Sequence, residues 1–210
     1  MHNQDAVAEG PLLRVGARVP VTEVEGPGAR FALWVQGCTI RCPDCCNPHL
    51  FDPRGGLTLP VETLLAEVRA VASRIEGLTL LGEPFEQAAA LARLAAGARG
   101  LGLSVMTFTG STLEELCARR DAGTDALLAA TDVLVDGPYR AHLPERRRRW
   151  VGSRNQRFHY LTARYTPAIE TPATGEPLRG VEVRVAADGR VLLNGWPVAR
   201  GGRGLRSARE

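Results

Sequence analysis

The sequence predicts an α/β fold built on a parallel sheet, with a small β-hairpin added at the C-terminal end. Three observations predict it. Short apolar runs, FALWVQ at 31–36, LTLL at 78–81 and LSVMTF at 103–108, alternate with segments whose apolar residues recur at helical spacing. Glycine and proline punctuate that alternation at its turns. The last apolar stretch, VEVRVAADGRVLLNGWP, instead alternates residue by residue around Asp188-Gly189, which is a hairpin signal.

The elements follow in order. Residues 13–24 and 31–36 read as strands joined by the Gly26-Pro27-Gly28 turn, and a cysteine-rich loop spans 37–56. Leu64, Leu65, Val68, Val71, Ala72 and Ile75 then recur at helical spacing, with Pro60 placed for a first turn and Gly77 for a stop. Residues 78–81 are a short buried strand, 85–98 an Ala-rich helix and 103–108 a further strand. Ser111 and Glu114 have capping-box spacing at the head of a helix over 112–120. Residues 132–135 and 157–162 complete the strands. These elements make a main domain of residues 1–165, followed by a Pro-, Thr- and Gly-rich linker at 166–180, a hairpin appendage at 181–197 and a disordered tail at 198–210.

A parallel sheet places its chemistry at the carboxyl ends of its strands. Applied here, the rule sets Cys38 after the first core strand, Gly82-Glu83 after the second, Thr107 to Gly110 after the third and Asp136 after the fourth. Groups about a hundred residues apart in sequence then share one rim.

Composition narrows the class. A chain of 210 residues, 44% hydrophobic and 23% charged, has the balance of a globular domain. A net charge of +3 argues for neither nucleic acid nor membrane as partner. No apolar run approaches a membrane span, and MHNQDAVAEGPLLR lacks a basic-then-apolar leader layout, so the expected location is the cytoplasm. All 26 Lys and Arg are arginine. Five cysteines are present, four of them within 38–46; in a cytosolic chain such a cluster points to a metal or redox site rather than disulfides. Cys117, in a predicted helix, reads as a small packing residue.

The chemistry centres on GCTIRCPDCCNP, where Cys38, Cys42 and Cys45 are separated by three and then two residues. A cubane iron–sulfur cluster takes up to four thiolates, and a compact loop offering three leaves one iron open to a small molecule. A structural zinc site on these three cysteines with Cys46 or His49 is the alternative from spacing alone.

The stretch GPGARFALWVQGCTIRCPDCCNPHLFD resembles the opening of the small radical S-adenosylmethionine (SAM) activating enzymes. The group that activates anaerobic ribonucleotide reductase is nearer than the group that activates pyruvate formate-lyase. Gly26 to Gly28, Trp34 to Cys38 and Cys42 to Pro48 match its motifs. LTLLGEPFEQ, TFTGSTLEEL, DVLVDGPY and GSRNQR follow in the family's order, so the likeness spans roughly residues 15–162. The resemblance implies a partial (βα) barrel-like sheet of the radical SAM type. It implies a [4Fe–4S] cluster on Cys38, Cys42 and Cys45, with SAM chelating the fourth iron through its methionine amino and carboxyl groups. It places Gly82, Glu83 and Pro84 around the methionine amino group, Thr107, Thr109, Gly110 and Asp136 against the rest of the cofactor, and backbone from Cys45 to Asn47 near the adenine. Reductive cleavage of SAM then gives methionine and a 5′-deoxyadenosyl radical, which removes a hydrogen atom from the substrate. The implied substrate is a glycyl-radical protein such as anaerobic ribonucleotide reductase, and the implied electron donor is a flavodoxin or ferredoxin. Leu81 stands where the family has the first glycine of Gly-Gly-Glu-Pro, Cys46 is extra, and the C-terminal hairpin lies outside the minimal activase.

Plainer roles compete at two positions: Glu83 complements a helix N-terminus, and Asp136 caps the turn that follows it. Seven arginines fall between 140 and 157, four of them consecutive at 146–149, a solvated loop or a dock for an acidic partner. Two other functional classes fit the motifs: a radical SAM enzyme acting on a metabolite or peptide, and a non-enzymatic iron–sulfur or zinc module.

Overall fold

The computed structural model describes residues 10–185, 189 and 191–196. The N-terminal half runs β1 (Leu12–Thr22), β2 (Arg30–Val35), β3 (Leu57–Pro60), α1 (Val61–Val71), β4 (Gly77–Leu81) and α2 (Ala88–Gly100). The second half runs β5 (Ser104–Phe108), α3 (Leu113–Arg119), α4 (Ala122–Ala130), β6 (Val133–Asp136), β7 (Arg157–Tyr160), β8 (Val181–Val185) and β9 (Val191–Gly195). Seven strands form one sheet in the order β3-β1-β2-β4-β5-β6-β7, and β8 and β9 form a separate hairpin.

The centre of the large sheet, β2-β4-β5-β6, is parallel; β1, β3 and β7 flank it antiparallel. Parallel strands covered on both faces read as continuous apolar runs, which is why FALWV and GLTLL lack alternation. One face, with Phe31, Leu33, Val35, Leu78, Leu80, Val105 and Leu134, packs on α1, α2 and α4 through Leu64, Val68, Leu91, Leu94 and Leu127. The other face carries two smaller apolar clusters, Trp34 with Leu50 and Val19, and Met106 with Val133, Val135 and Val151. The sheet has β3 and β7 at its edges. Among the described residues no helix is long and apolar enough to cross a membrane.

The opposite, amino-terminal end of the sheet is pinned by Arg30. Its guanidinium is fully buried and donates to the Thr79 hydroxyl, the Ser104 hydroxyl and the Leu78 carbonyl, tying β2, β4 and β5 together. A Cβ at Gly77 would lie 2.1 Å from that guanidinium, so only glycine fits there.

Several expectations are corrected. Pro60 ends β3, a strand absent from the sequence reading, and it N-caps α1 instead of sitting in its first turn. Gly77 begins β4; α1 ends through a 3₁₀ turn at Ala72–Arg74. The capping box lies one residue later than expected, on Thr112 and Glu115. Helix α4 fills a stretch left unassigned, and the Asp121 side chain accepts from the Thr124 amide at its head. Cys117 is exposed and packs into no core. Within the stretch expected as a linker, Pro167–Glu170 forms a 3₁₀ turn whose Ile169 packs on the sheet. Asp188 of the hairpin turn and the tail 198–210 lie outside the described residues.

Candidate functional site at the carboxyl ends of the parallel strands

The cysteine loop leaves β2 and closes on itself. The amides of Gly37 and Cys38 both donate to the Leu50 carbonyl, at 2.8 and 2.9 Å. The Leu50 side chain is buried against Trp34, over the space that a side chain at Gly16 would occupy. From the end of β2, the Gln36 side-chain amide donates to the His49 and Asp52 carbonyls at 2.8 and 2.7 Å, cinching the loop's two ends. Gln87 extends the clasp by donating to the Gln36 and Arg14 carbonyls. Gln36 lies within the Trp34–Cys38 stretch that carries the family resemblance, and its own sequence signal is a polar side chain ending an apolar strand.

Within the loop, Cys38, Cys42 and Cys45 are free thiols of intermediate exposure. Arg41 and Asp44 hold left-handed φ values of 49° and 59°, which turn the chain sharply between the cysteines. Partial burial pushes the Cys38 and Cys42 thiols up; the amides of Arg41 and Ile40 pull Cys38 back, and the Tyr139 amide does the same for Cys42. The adjoining Cys46 thiol holds Cys45 down at about 6 against its own burial, and the Asn47 amide donates to the Cys45 sulfur at 3.4 Å. Amide donors aimed at cysteine sulfurs tune iron–sulfur clusters.

Ile40 carries the loop across to the ends of β4 and β5. It lies over Gly110, where an added Cβ would come within 2.8 Å of it. Beneath it Glu83 is buried, its carboxylate accepting from the Thr109 hydroxyl at 2.7 Å and the Gly110 amide at 2.8 Å. Burial raises the Glu83 pKa, and these two donors with nearby Arg119 oppose the rise. Glu83 therefore locks the end of β4 to the end of β5. Gly82 turns with φ of +94°, and a Cβ there would lie 2.6 Å from the Val35 carbonyl. Pro84 opens a 3₁₀ turn at Pro84–Gln87.

Two expected residues face elsewhere. Thr107 is fully buried on the helix-facing side of β5, its hydroxyl 2.9 Å from that of Thr131. Asp136 lies on the same side of β6, where it accepts from the Leu113 amide at the head of α3 at 2.7 Å and pairs with Arg157 and His159. The plainer account of Asp136, a cap on the turn that follows it, is corrected too: the amide it accepts from heads α3, earlier in the chain. Asn47, Gly82, Glu83, Pro84, Thr109 and Gly110 remain gathered around the cysteine loop.

The 4Fe-4S single cluster domain family matches residues 24–159. The chain is 32% identical over 151 residues to the anaerobic ribonucleoside-triphosphate reductase-activating protein of Vibrio cholerae, covering 68% of this chain and 95% of that protein. The protein of the same name from Enterobacteria phage T4 is 31% identical over 145 residues, covering 66% of this chain and 88% of that protein. The chain belongs to the radical SAM activating-enzyme family. The pyruvate formate-lyase 1-activating enzyme of Escherichia coli shares 47% identity over a shorter stretch of 45 residues, 21% of this chain and 18% of that protein.

A radical SAM activating enzyme takes a [4Fe–4S] cluster and SAM, and the family match decides between the iron–sulfur and zinc readings in favour of the former. The loop fits the cluster in donor chemistry: soft thiols on one clasped loop, with the Asn47 amide donating to the Cys45 sulfur. Among the described residues no three Cys, His, Asp or Glu side chains stand at metal-binding distances, so the fit lies in donor type and placement.

Proposed function

We propose that this radical SAM enzyme plants a glycyl radical on anaerobic ribonucleoside-triphosphate reductase, the protein that its relatives are named for activating. In this reading the open sheet is the partial (βα) barrel of the radical SAM type, and Cys38, Cys42 and Cys45 hold the cluster. The supporting observation is the convergence of the clasped three-cysteine loop with the Glu83–Thr109–Gly110 network at one rim of the parallel strands. When bound, the cluster and SAM supply one-electron cleavage of the sulfonium to methionine and a 5′-deoxyadenosyl radical.

The chain's own residues position and shield. Gln36 and the Leu50 carbonyl fix where the loop leaves the sheet. Both Glu83 carboxylate oxygens are occupied, so it acts by shaping the Gly82–Pro84 backbone; carbonyl oxygens on that turn suit the ammonium of methionine. Thr109, tied to Glu83 and to the Ser111 amide, and Gly110 hold the facing wall, with Asn47 bordering the loop. A large protein substrate shuts out water by covering the rim, which suits a short chain. A flavodoxin or ferredoxin, acidic at its docking face, is the electron donor proposed.

The test is a set of single cysteine variants, reconstituted anaerobically, reduced with dithionite and assayed for 5′-deoxyadenosine. Replacing Cys38, Cys42 or Cys45 by Ala removes both cluster absorbance and product, while Cys46→Ala and Cys117→Ala retain both. Loss of the cluster in Cys46→Ala alone contradicts the ligand assignment.

A further inference from the structure

The turn that follows β4 is held from several elements at once. Glu83 is tied to Thr109 and Gly110 at the end of β5. The Phe85 carbonyl accepts from Arg119 of α3, whose other terminal nitrogen donates to the Ser111 hydroxyl at 2.9 Å. Gln87 accepts from the Arg14 amide of β1 at 2.7 Å and donates to the Arg14 and Gln36 carbonyls. Glu86 stands in this turn, Pro84–Gln87, between neighbours that are fixed on either side. Its side chain is exposed, and its carboxylate accepts from the Thr39 hydroxyl.

Thr39 directly follows Cys38. Among the described residues, its bond to Glu86 is the one hydrogen bond between side chains that joins residues 38–46 to anything outside the cysteine loop. The next residue, Ile40, lies over Gly110 at the end of β5. The chain leaving Cys38 therefore touches the turn after β4 with one side chain and the end of β5 with the next. The Thr39–Glu86 partners are 47 residues apart in sequence, and an ionised acceptor makes such a bond stronger than a neutral one. Neither side chain packs into the core, so the bond serves the position of the loop and not the sheet.

We propose that Thr39 and Glu86 are a positioning pair for SAM, setting the distance between Cys38 and the Gly82–Pro84 turn. This rests on the proposed function, in which Cys38 holds the cluster and that turn receives the ammonium of methionine. The two halves of such a site lie on different segments, and one ligand has to meet both. A misplacement of about 1 Å between them is enough to cost a large part of the activity. Side chains that orient the residues touching a metal or ligand have effects of this kind without touching either.

The test compares the reconstituted chain with Thr39→Val, Thr39→Ser, Glu86→Ala and the double variant Thr39→Val with Glu86→Ala. Iron per chain and SAM Kd are read beside the kcat for 5′-deoxyadenosine. Iron is retained throughout, because Gln36 and the Leu50 carbonyl still clasp the loop's ends. Thr39→Val and Glu86→Ala each raise Kd for SAM about tenfold. Thr39→Ser keeps the hydroxyl and recovers most of that loss. The double variant is no worse than either single one, because both remove the same bond. A double variant whose loss is the product of the two singles overturns the pair. So does a loss confined to Glu86→Ala, since Thr39→Val leaves the Glu86 charge in place; the carboxylate then acts on SAM directly. Loss of iron with unchanged SAM affinity per loaded cluster makes the bond merely structural and overturns the proposal. Unchanged Kd in every variant, with the unmodified chain binding SAM, overturns the positioning pair alone. Failure of the unmodified, loaded chain to bind SAM overturns the proposed function as well.

Discussion

Gly82 and Glu83 show how individual residues build the rim. A side chain at Gly82 meets the Val35 carbonyl at 2.6 Å in a left-handed backbone, so Gly82→Ala must shift β4 away from β2. The expected outcome is a fold weakened by about 1–3 kcal/mol and a loss of SAM affinity larger than that stability change explains. Thermal melts and SAM titration check both. Gln36→Ala leaves the His49 and Asp52 carbonyls without their donor and loosens the cysteine loop, at a cost of about 1–3 kcal/mol. Iron retained per chain after gel filtration falls in that variant while sheet signals in circular dichroism remain; full retention would show that the loop holds without its clasp. Leu81, at the family's first glycine of that segment, is half-buried beside the Trp34–Leu50 cluster.

Two elements are governed by carboxylates with opposite pH behaviour. At the head of α3, burial works to raise the Asp136 pKa, but Arg157, the Leu113 amide and His159 together hold it below its ordinary value of 3.8. A depressed carboxylate stabilises the fold fully above about pH 4 and ceases to as pH falls through the folded value. Asp136→Asn therefore lowers the neutral-pH melting temperature and flattens stability across the acid limb; an unchanged acid limb would contradict the assignment. At the hairpin, burial pushes Glu25 up to about 7 despite donation from Asn194 and Gly195, with Glu182 and Arg184 close by. A raised carboxylate works the other way: its stabilising effect is full below about pH 4.5 and is lost as pH rises toward 7, at most ~3 kcal/mol. Glu25→Gln removes that decline, and melts at pH 5 and pH 8 read it directly.

Legibility from sequence differed by element for physical reasons. β2, β4 and β5 were visible as apolar runs because buried parallel strands exclude polar residues. The same continuity hid which side chains face the helices, and so Thr107 and Asp136 were assigned to the cofactor although both lie on the helix-facing side of their strands. α4 was missed although Asp121 caps it, because its Gly-Thr-Asp opening reads as a loop. The box at Thr112 was displaced by one residue because Ser111 offers an equivalent spacing; in the fold the Ser111 hydroxyl accepts from Arg119.

Across the whole molecule, the sheet sets a rigid frame, pinned by Arg30 at one end, and the cysteine loop occupies the other. That polarity was legible, since strand–helix order fixes which strand ends face together. The hairpin was legible as a hairpin, but not which face it docks with, because alternation is identical whichever face meets the protein. The most direct measurement is electron paramagnetic resonance of anaerobic ribonucleoside-triphosphate reductase after incubation with the reduced, reconstituted chain and SAM. The account predicts a carbon-centred glycyl radical on the reductase that needs SAM and disappears with Cys42→Ala. Formation of 5′-deoxyadenosine with no radical on the reductase would contradict it and send the search to a different substrate.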